Sequence, residues 1–231
     1  MKTIGLLGGM TWHSTVEYYR LINSGIQARL GGSHSARCIL YSVEFAEVER
    51  LQNEGGWDAL AGFMVDAAKR VEQTGADFIL ICANTMHRMA ASIESALSIP
   101  LLHIVDATAG EIRKQGLQKV GLLGTRYTME QDFYRHRLER RHNLEVLIPG
   151  ERERKEIHDV IYQELGRGII SETSRKLCQS IIHDLHNCGA EGVILGCTEI
   201  PLLIRPGDCS IPLFDTTALH AAAAVEWALE E

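Results

Sequence analysis

Gly75-Ala76-Asp77-Phe78-Ile79-Leu80-Ile81-Cys82-Ala83-Asn84-Thr85 realigns without gaps on Gly189-Ala190-Glu191-Gly192-Val193-Ile194-Leu195-Gly196-Cys197-Thr198-Glu199. Cys197 then falls opposite Ala83, at an offset of 114 residues. Two further segments repeat at nearly this distance. Ile4-Gly5-Leu6-Leu7-Gly8 matches Val120-Gly121-Leu122-Leu123-Gly124 at an offset of 116, and Ser98-Ile99-Pro100-Leu101-Leu102 matches Ser210-Ile211-Pro212-Leu213-Phe214 at 112. Three matches in the same order imply two similar half-molecules with a pseudo-symmetric site between them.

Around the repeats, short apolar runs alternate with longer helical patterns, the signature of parallel sheets covered by helices. Strands are expected at Thr3–Leu7, Cys38–Val43, Phe78–Cys82 and Leu101–His103, then at Lys119–Leu123, Glu145–Ile148, Gly192–Leu195 and Leu213–Phe214. Helices fit Ser14–Ala28, Trp57–Gly75, Thr85–Leu97, Ala107–Gln115, Glu130–Arg141, Ile157–Glu164, Ser171–Cys188 and Thr217–Leu229. Gly75 and Gly189 each follow a long helix, where a left-handed cap is wanted. The expected fold is α/β, with two similar lobes related by a pseudo-two-fold axis and a cleft between them. Each lobe is a mostly parallel sheet flanked by helices. Residues 1–98 with 210–231 form lobe one and residues 99–209 lobe two, the chain crossing near the repeated Ser-Ile-Pro-Leu segments. Ligands in such folds lie beyond the carboxyl ends of the strands.

Bulk properties narrow the partners. The 231 residues are 45% hydrophobic and 23% charged, an ordinary globular balance. A net charge of −7 argues against a nucleic-acid partner, which needs a basic face. The run Tyr134-Arg135-His136-Arg137-Leu138-Glu139-Arg140-Arg141-His142 reads most simply as a solvated helix face. No leader and no run approaching the roughly 20 apolar residues of a membrane span is visible, so a cytoplasmic, membrane-free protein is expected. Six cysteines without a CxxC pair make neither a disulfide framework nor a zinc site. Cys38, Cys178, Cys188 and Cys209 read as filler or surface thiols. The ten histidines are scattered and no metal is expected. Gly5-Leu6-Leu7-Gly8-Gly9 lacks the GxGxxG spacing of a dinucleotide loop, and no GxxxxGK[ST] phosphate loop occurs.

Cys197 ends a buried strand and precedes Thr198-Glu199-Ile200-Pro201, a plausible helix start. The dipole of such a helix would lower the thiol pKa and favour thiolate. In lobe one the equivalent position is followed by Asn84-Thr85, good capping residues for the next helix. Backbone N–H groups at helix starts also bind carboxylates. The site is therefore expected to have anion-binding corners on both sides and a thiol on one.

Ile4-Gly5-Leu6-Leu7-Gly8-Gly9-Met10-Thr11, Cys82-Ala83-Asn84-Thr85-Met86-His87, Leu122-Leu123-Gly124-Thr125 and Gly196-Cys197-Thr198-Glu199 together resemble the aspartate/glutamate racemase superfamily along the whole chain. The likeness is nearest to the bacterial broad-specificity amino-acid racemases of that group. It implies racemisation without pyridoxal phosphate or any other cofactor, an amino-acid substrate and a homodimer. In the family, two residues flank the substrate α-carbon. One removes the proton and the other returns one on the opposite face. The usual pair is two cysteines, in the positions held here by Ala83 and Cys197. Cys197 matches; alanine has no proton to move. Three readings stay open: water held near Asn84 donates on the vacant side, Cys82 swings in although strand alternation turns it away, or racemisation is lost.

For substrate contacts the resemblance points to Met10, Thr11, Gln52, Asn84, Thr85, Thr125, Thr128 and Thr198. Arg50 and Arg126 are candidates for a side-chain carboxylate, which arginine binds bidentately. Glu164 is a candidate for closing the cleft. Glu199 is either an acid at a helix start or a group that contacts the substrate ammonium or relays a proton to Cys197. His87 and His103 read as structural, and Asp215 and His220 as supports of the site. Two rivals to the racemase remain: a one-cysteine decarboxylase of the arylmalonate type, on the same fold, and an amino-acid-binding relic without turnover.

Overall fold

The computed structural model describes residues Met1–Glu230 and divides into two compact units, Met1–Ile104 with His220 onward, and Val105–Leu219. The first unit runs β1 (Ile4–Gly8), α1 (Trp12–Leu30), β2 (Cys38–Ser42), α2 (Phe45–Asn53), α3 (Trp57–Gln73), β3 (Phe78–Ile81), a 3-10 turn (Thr85–Met89) and α4 (Ala90–Ala96). Its sheet has the order β2-β1-β3, all parallel, and Leu101 adds a single bridge to Ile79. The five residues of β1 and the four of β3 are all buried, because helices cover both faces of a parallel sheet. On one face Leu7, Ile79 and Ile81 pack with Met64, Ala68 and Val71 of α3. On the other, Leu6, Leu80 and Cys82 pack with Tyr18, Ile22 and Ile26 of α1.

The second unit begins in α5 (Ile104–Lys114) and continues β4 (Lys119–Gly124), α6 (Arg126–Glu130), α7 (Asp132–His142), β5 (Glu145–Leu147) and α8 (Glu151–Asp159). A π-helical turn (Val160–Glu164), α9 (Glu172–Asn187), β6 (Gly192–Gly196), α10 (Ile200–Leu203), β7 (Leu213–Asp215) and α11 (Thr216–Leu229) follow. Its sheet has the order β5-β4-β6-β7, again parallel.

Strand pairing carries the sequence repeat. Ile4 pairs with Phe78 in the first sheet, and Val120 with Gly192 in the second. Leu101 bridges Ile79, and Leu213 pairs with Val193. Each pair in one sheet is thus the other's pair moved along by the offsets of the repeat. Gly75 and Gly189 both take positive φ, 96° and 97°, as the helix ends before them require.

Several elements differ from the sequence reading. Leu101–His103 is only a bridge, because α5 starts at Ile104. The units divide at 104/105 and 219/220, inside α5 and α11, where the repeated segments had suggested 98/99 and 209/210. The cause is backbone pairing: Ile79 N–H donates to Pro100 O and Leu102 N–H to Ile79 O, which keeps the first segment with its own sheet. Val193 N–H to Pro212 O does the same for the second. The expected helix Thr85–Leu97 is a 3-10 turn followed by α4, and Glu130–Arg141 is split between α6 and α7. Helix α2 is not among the helices that the sequence pattern predicts. Among the described residues no helix is long and apolar enough to cross a membrane.

Candidate functional site

In the first unit the corner is built at the carboxyl ends of β1 and β3. Gly9 has φ 96°, and a Cβ there would stand 2.2 Å from the carbonyl oxygen of Val43. Only glycine lets the chain pass so close, and the Gly9 N–H donates to Thr15 Oγ1 at 2.8 Å. The turn delivers Met10, buried in the core beside Ala83 and Met86, and Thr11 at the start of α1. Gln52 shares the buried face of α2 with Val48. Beyond β3, Asn84 and Thr85 are both buried. Asn84 does not cap the next helix as its residue type suggested. It takes helical angles, φ −68° and ψ −52°, so its side chain is not placed to accept from the turn's N–H groups.

Cys82 and Ala83 face opposite ways. Ala83 packs with Met10, Met86 and Val43, whereas Cys82 is fully buried among Tyr18, Leu80 and Leu102. Burial pushes the Cys82 thiol far up, with Cys38 adding to it. Cys82 is therefore no substitute for a proton-transfer group at position 83.

The second unit's corner is formed where β4 and β6 run side by side. A Cβ on Gly124 would lie 2.8 Å from Gly196 O, and one on Gly196 would lie 2.8 Å from Leu123 O. The two glycines let Thr128 Cγ2 settle over both strands, 3.2 Å from each of these Cβ positions. Thr125 caps α6, its Oγ1 accepting from Thr128 N at 3.3 Å and lying 3.2 Å from Thr128 Oγ1. Register pairs Gly124 with Gly196, so Thr125 and Cys197 leave the sheet as neighbours.

Cys197 is buried, and its Sγ donates to Glu199 Oε2 at 3.0 Å. The same oxygen accepts from Thr198 Oγ1 at 2.5 Å. Burial raises the Cys197 pKa well above its ordinary value, and the charge and hydrogen bond of Glu199 raise it further. The N–H groups of Glu199 and Thr198 oppose this and are outweighed. The shift runs against the lowering that a helix start was expected to produce. The reason is local, since α10 has four residues and its dipole is short, while the carboxylate is in contact. Glu199 makes no side-chain cap to α10; its carboxylate serves Cys197 and Thr198 instead.

Other expected residues are engaged elsewhere. Arg50 pairs with Glu54 at 2.6 Å on the exposed side of α2. Arg126 lies 3.9 Å from Glu130, and its backbone N–H donates to His158 Nδ1 at 3.3 Å. Glu164 accepts from Ser174 Oγ at 2.6 Å, which ties it to α9. Asp215 caps α11 by accepting from Thr217 and Ala218 N–H. His87, His103 and His220 are all buried. Among the described residues no three His, Cys, Asp or Glu side chains group as a metal site. The sequence reading missed Ser14, which donates to Cys82 O at 2.5 Å, and Thr15, which holds Gly9. Both open α1 as small hydroxyl residues, and that is the only signal they give.

Comparison with known proteins adds an independent line. Residues 7–224 match the family model described as Asp/Glu/hydantoin racemase. The chain is 53% identical to a Yersinia pestis protein solved as a candidate Asp/Glu racemase, with TM-score 0.95 and 100% of each chain covered. It is 37% identical to an aspartate racemase homologue of Pyrococcus horikoshii, with TM-score 0.88 and again 100% of each chain covered. Among curated proteins it is 26% identical over 227 residues to the broad specificity amino-acid racemase RacX of Bacillus subtilis, covering 96% of both.

Proposed function

The chain belongs to the Asp/Glu/hydantoin racemase family, and from that premise we propose that it is a cofactor-independent amino-acid racemase working with a single thiol. The observation that carries the reading is the Cys197–Glu199 contact at the carboxyl end of β6. A base for the α-hydrogen must be unprotonated, whereas burial and Glu199 both favour the protonated form of Cys197. Glu199 supplies the outlet: the Cys197 S–H bond breaks, its proton passes to Glu199 Oε2, and the thiolate takes the hydrogen from the α-carbon. The C–H electron pair is left on a carbanion conjugated with the substrate carboxyl group. Return of a proton from Cys197 restores the starting enantiomer. On the other face the donor is water, because Ala83, the repeat-equivalent of Cys197, carries no acidic group: a water O–H bond breaks, its proton reaches the carbanion to give the mirror image, and the hydroxide left behind takes the proton held by Glu199 through solvent.

Thr125, Thr128 and Thr198 are proposed to orient the substrate beside the thiol. Met10, Thr11, Gln52, Asn84 and Thr85 are the first unit's proposed contacts to it. Acidic or small polar amino acids fit this set of hydroxyls and amides. A homodimer is proposed from the family likeness. Trp12, Val16 and Tyr19, exposed one turn apart on α1, offer an apolar face for a second copy. Light scattering on the purified chain tests it; a monomer at micromolar concentration rules it out.

A second reading has an observation in its favour. A resting protonated thiol is already a proton donor, which suits one-sided protonation of the carbanion left by a decarboxylation. Incubating the protein in D2O with L- and D-aspartate, L- and D-glutamate and an arylmalonate separates the two. The racemase reading requires deuterium at the α-carbon of an amino acid, lost in Cys197→Ser. Carbon dioxide release from the malonate without amino-acid exchange replaces it by the decarboxylase.

A further inference from the structure

We propose that His87 is a positioning residue that fixes the backbone of Ala83, and with it the direction of whatever side chain stands at that position. The catalytic consequence rests on the racemase reading; the geometry does not. Three contacts define the role. His87 Nδ1 lies 2.8 Å from Ala83 O, its Nε2 lies 3.2 Å from the Ile104 backbone nitrogen, and its own N–H donates to Asn84 O at 3.1 Å. A carbonyl can only accept, so Nδ1 carries the hydrogen. A backbone N–H can only donate, so Nε2 is bare. His87 is therefore the neutral Nδ1–H tautomer, set by its two partners.

The ring is 2% exposed and packs 4.5 Å from His103 and 5.7 Å from His220. His220 in turn takes Leu102 O at 2.9 Å through Nε2 and meets Tyr18 Oη at 2.8 Å through Nδ1. The imidazoles thus tie the 102–104 segment to the turn after β3. Ser14 holds the preceding carbonyl, that of Cys82. Two consecutive carbonyls at the end of β3 are clamped by buried side chains from outside the strand. A residue whose carbonyl and flanking turn are held has its Cα–Cβ direction held as well. This explains a buried histidine three residues beyond Asn84 that the proton-transfer chemistry does not use.

Two substitutions separate positioning from packing. In His87→Asn the side-chain amide nitrogen falls near Nδ1 and can still donate to Ala83 O. In His87→Gln the amide reaches the Nε2 position and can still accept from Ile104 N–H, leaving Ala83 O unheld. Both are made in the full chain and in the Ala83→Cys background. Imidazole nitrogen NMR of the wild-type chain should show protonated Nδ1 and bare Nε2 for His87. Amide hydrogen exchange at residues 84–87 should speed up about tenfold in His87→Gln, as expected for one lost buried hydrogen bond, and stay near wild type in His87→Asn. In the Ala83→Cys background, the ratio of inversion to α-hydrogen exchange should fall about tenfold with Gln and recover with Asn. An Nε2–H tautomer, or equal behaviour of Asn and Gln in step with melting temperature, overturns the proposal. If no variant exchanges an α-hydrogen, the racemase reading fails, and the tautomer and amide measurements still decide the role of His87.

Discussion

Cys197 Sγ and Glu199 Oε2 lie 3.0 Å apart, two residues from each other in the chain, with Thr198 Oγ1 donating to the same oxygen. One contact has two opposing effects. The carboxylate holds the thiol in its protonated form, and it is also the group in place to receive that proton. Glu199→Gln separates these effects. Without the charge the thiol pKa drops, so alkylation of Cys197 by iodoacetamide at pH 8 should be faster than in the wild type. Without the proton acceptor, α-hydrogen exchange should slow by roughly 10²–10⁴-fold, the usual worth of a general base. If alkylation and exchange fall together, Glu199 is a structural support instead.

Ala83→Cys places a thiol at the repeat-equivalent of Cys197. The side chain there starts among Met10, Met86 and Val43, and adding one sulfur to a buried alanine costs about 1–3 kcal/mol in packing. Inversion should rise relative to exchange by at least about tenfold, as a positioned acid replaces water. A variant that folds, exchanges and gains no inversion removes position 83 from the mechanism.

Buried thiols add to stability at neutral pH and lose that contribution in alkali. Burial raises Cys38 to about 11 and Cys178 to about 12, the latter helped by Glu164, and lifts Cys82 and Cys197 as well. A pKa raised on folding means that the native state holds its proton where the unfolded chain has released it. The contribution is complete below about pH 9 and is lost as the pH rises from there toward the folded values. Melting temperature should therefore be level from pH 7 to 8.5 and decline above 9. Cys38→Ala with Cys178→Ala should flatten the decline between 9 and 11; an unchanged slope refutes the assignment.

Gly9 and Gly75 share φ 96°, yet a Cβ on Gly9 meets Val43 O at 2.2 Å while one on Gly75 meets nothing within 4 Å. Backbone strain is common to both alanine variants, about 1 kcal/mol or somewhat more. Chemical denaturation should put Gly9→Ala about 2 kcal/mol or more below Gly75→Ala, the added cost of overpacking. Equal losses would mean that the turn after β1 relaxes freely.

Much of the fold was legible because duplication preserves backbone requirements. The paired strands keep Gly8 and Gly124 at the ends of β1 and β4, and the helix ends keep Gly75 and Gly189. Helix α2 escaped because its cap is Glu44, whose Oε1 accepts from Ala46 N–H, a residue type far less characteristic of helix starts than Ser, Thr, Asp or Asn. The helix expected at Ile157–Glu164 begins six residues earlier, at Glu151, and its last turn is π-helical; the start escaped because it is opened by Gly150, whose N–H donates to Glu153 Oε2, and glycine marks helix starts only weakly. At the site, the position of Cys197 was readable but its protonation was not. A strand end followed by a helix start suggests a lowered pKa; burial and the rotamer of Glu199 reverse it, and neither is written in local sequence. His87 gave no functional sign for the same reason: its partner is a carbonyl four residues back.

The most direct test of a one-thiol racemase compares exchange with inversion. L- and D-aspartate and L- and D-glutamate are incubated separately with the protein in D2O, and α-deuteration and enantiomer content are followed by NMR and chiral chromatography. One enantiomer should take up deuterium with retained configuration faster than it inverts, and Cys197→Ser should abolish both processes. Inversion that keeps pace with exchange, or deuteration that survives Cys197→Ser, would contradict a single thiol acting from one face.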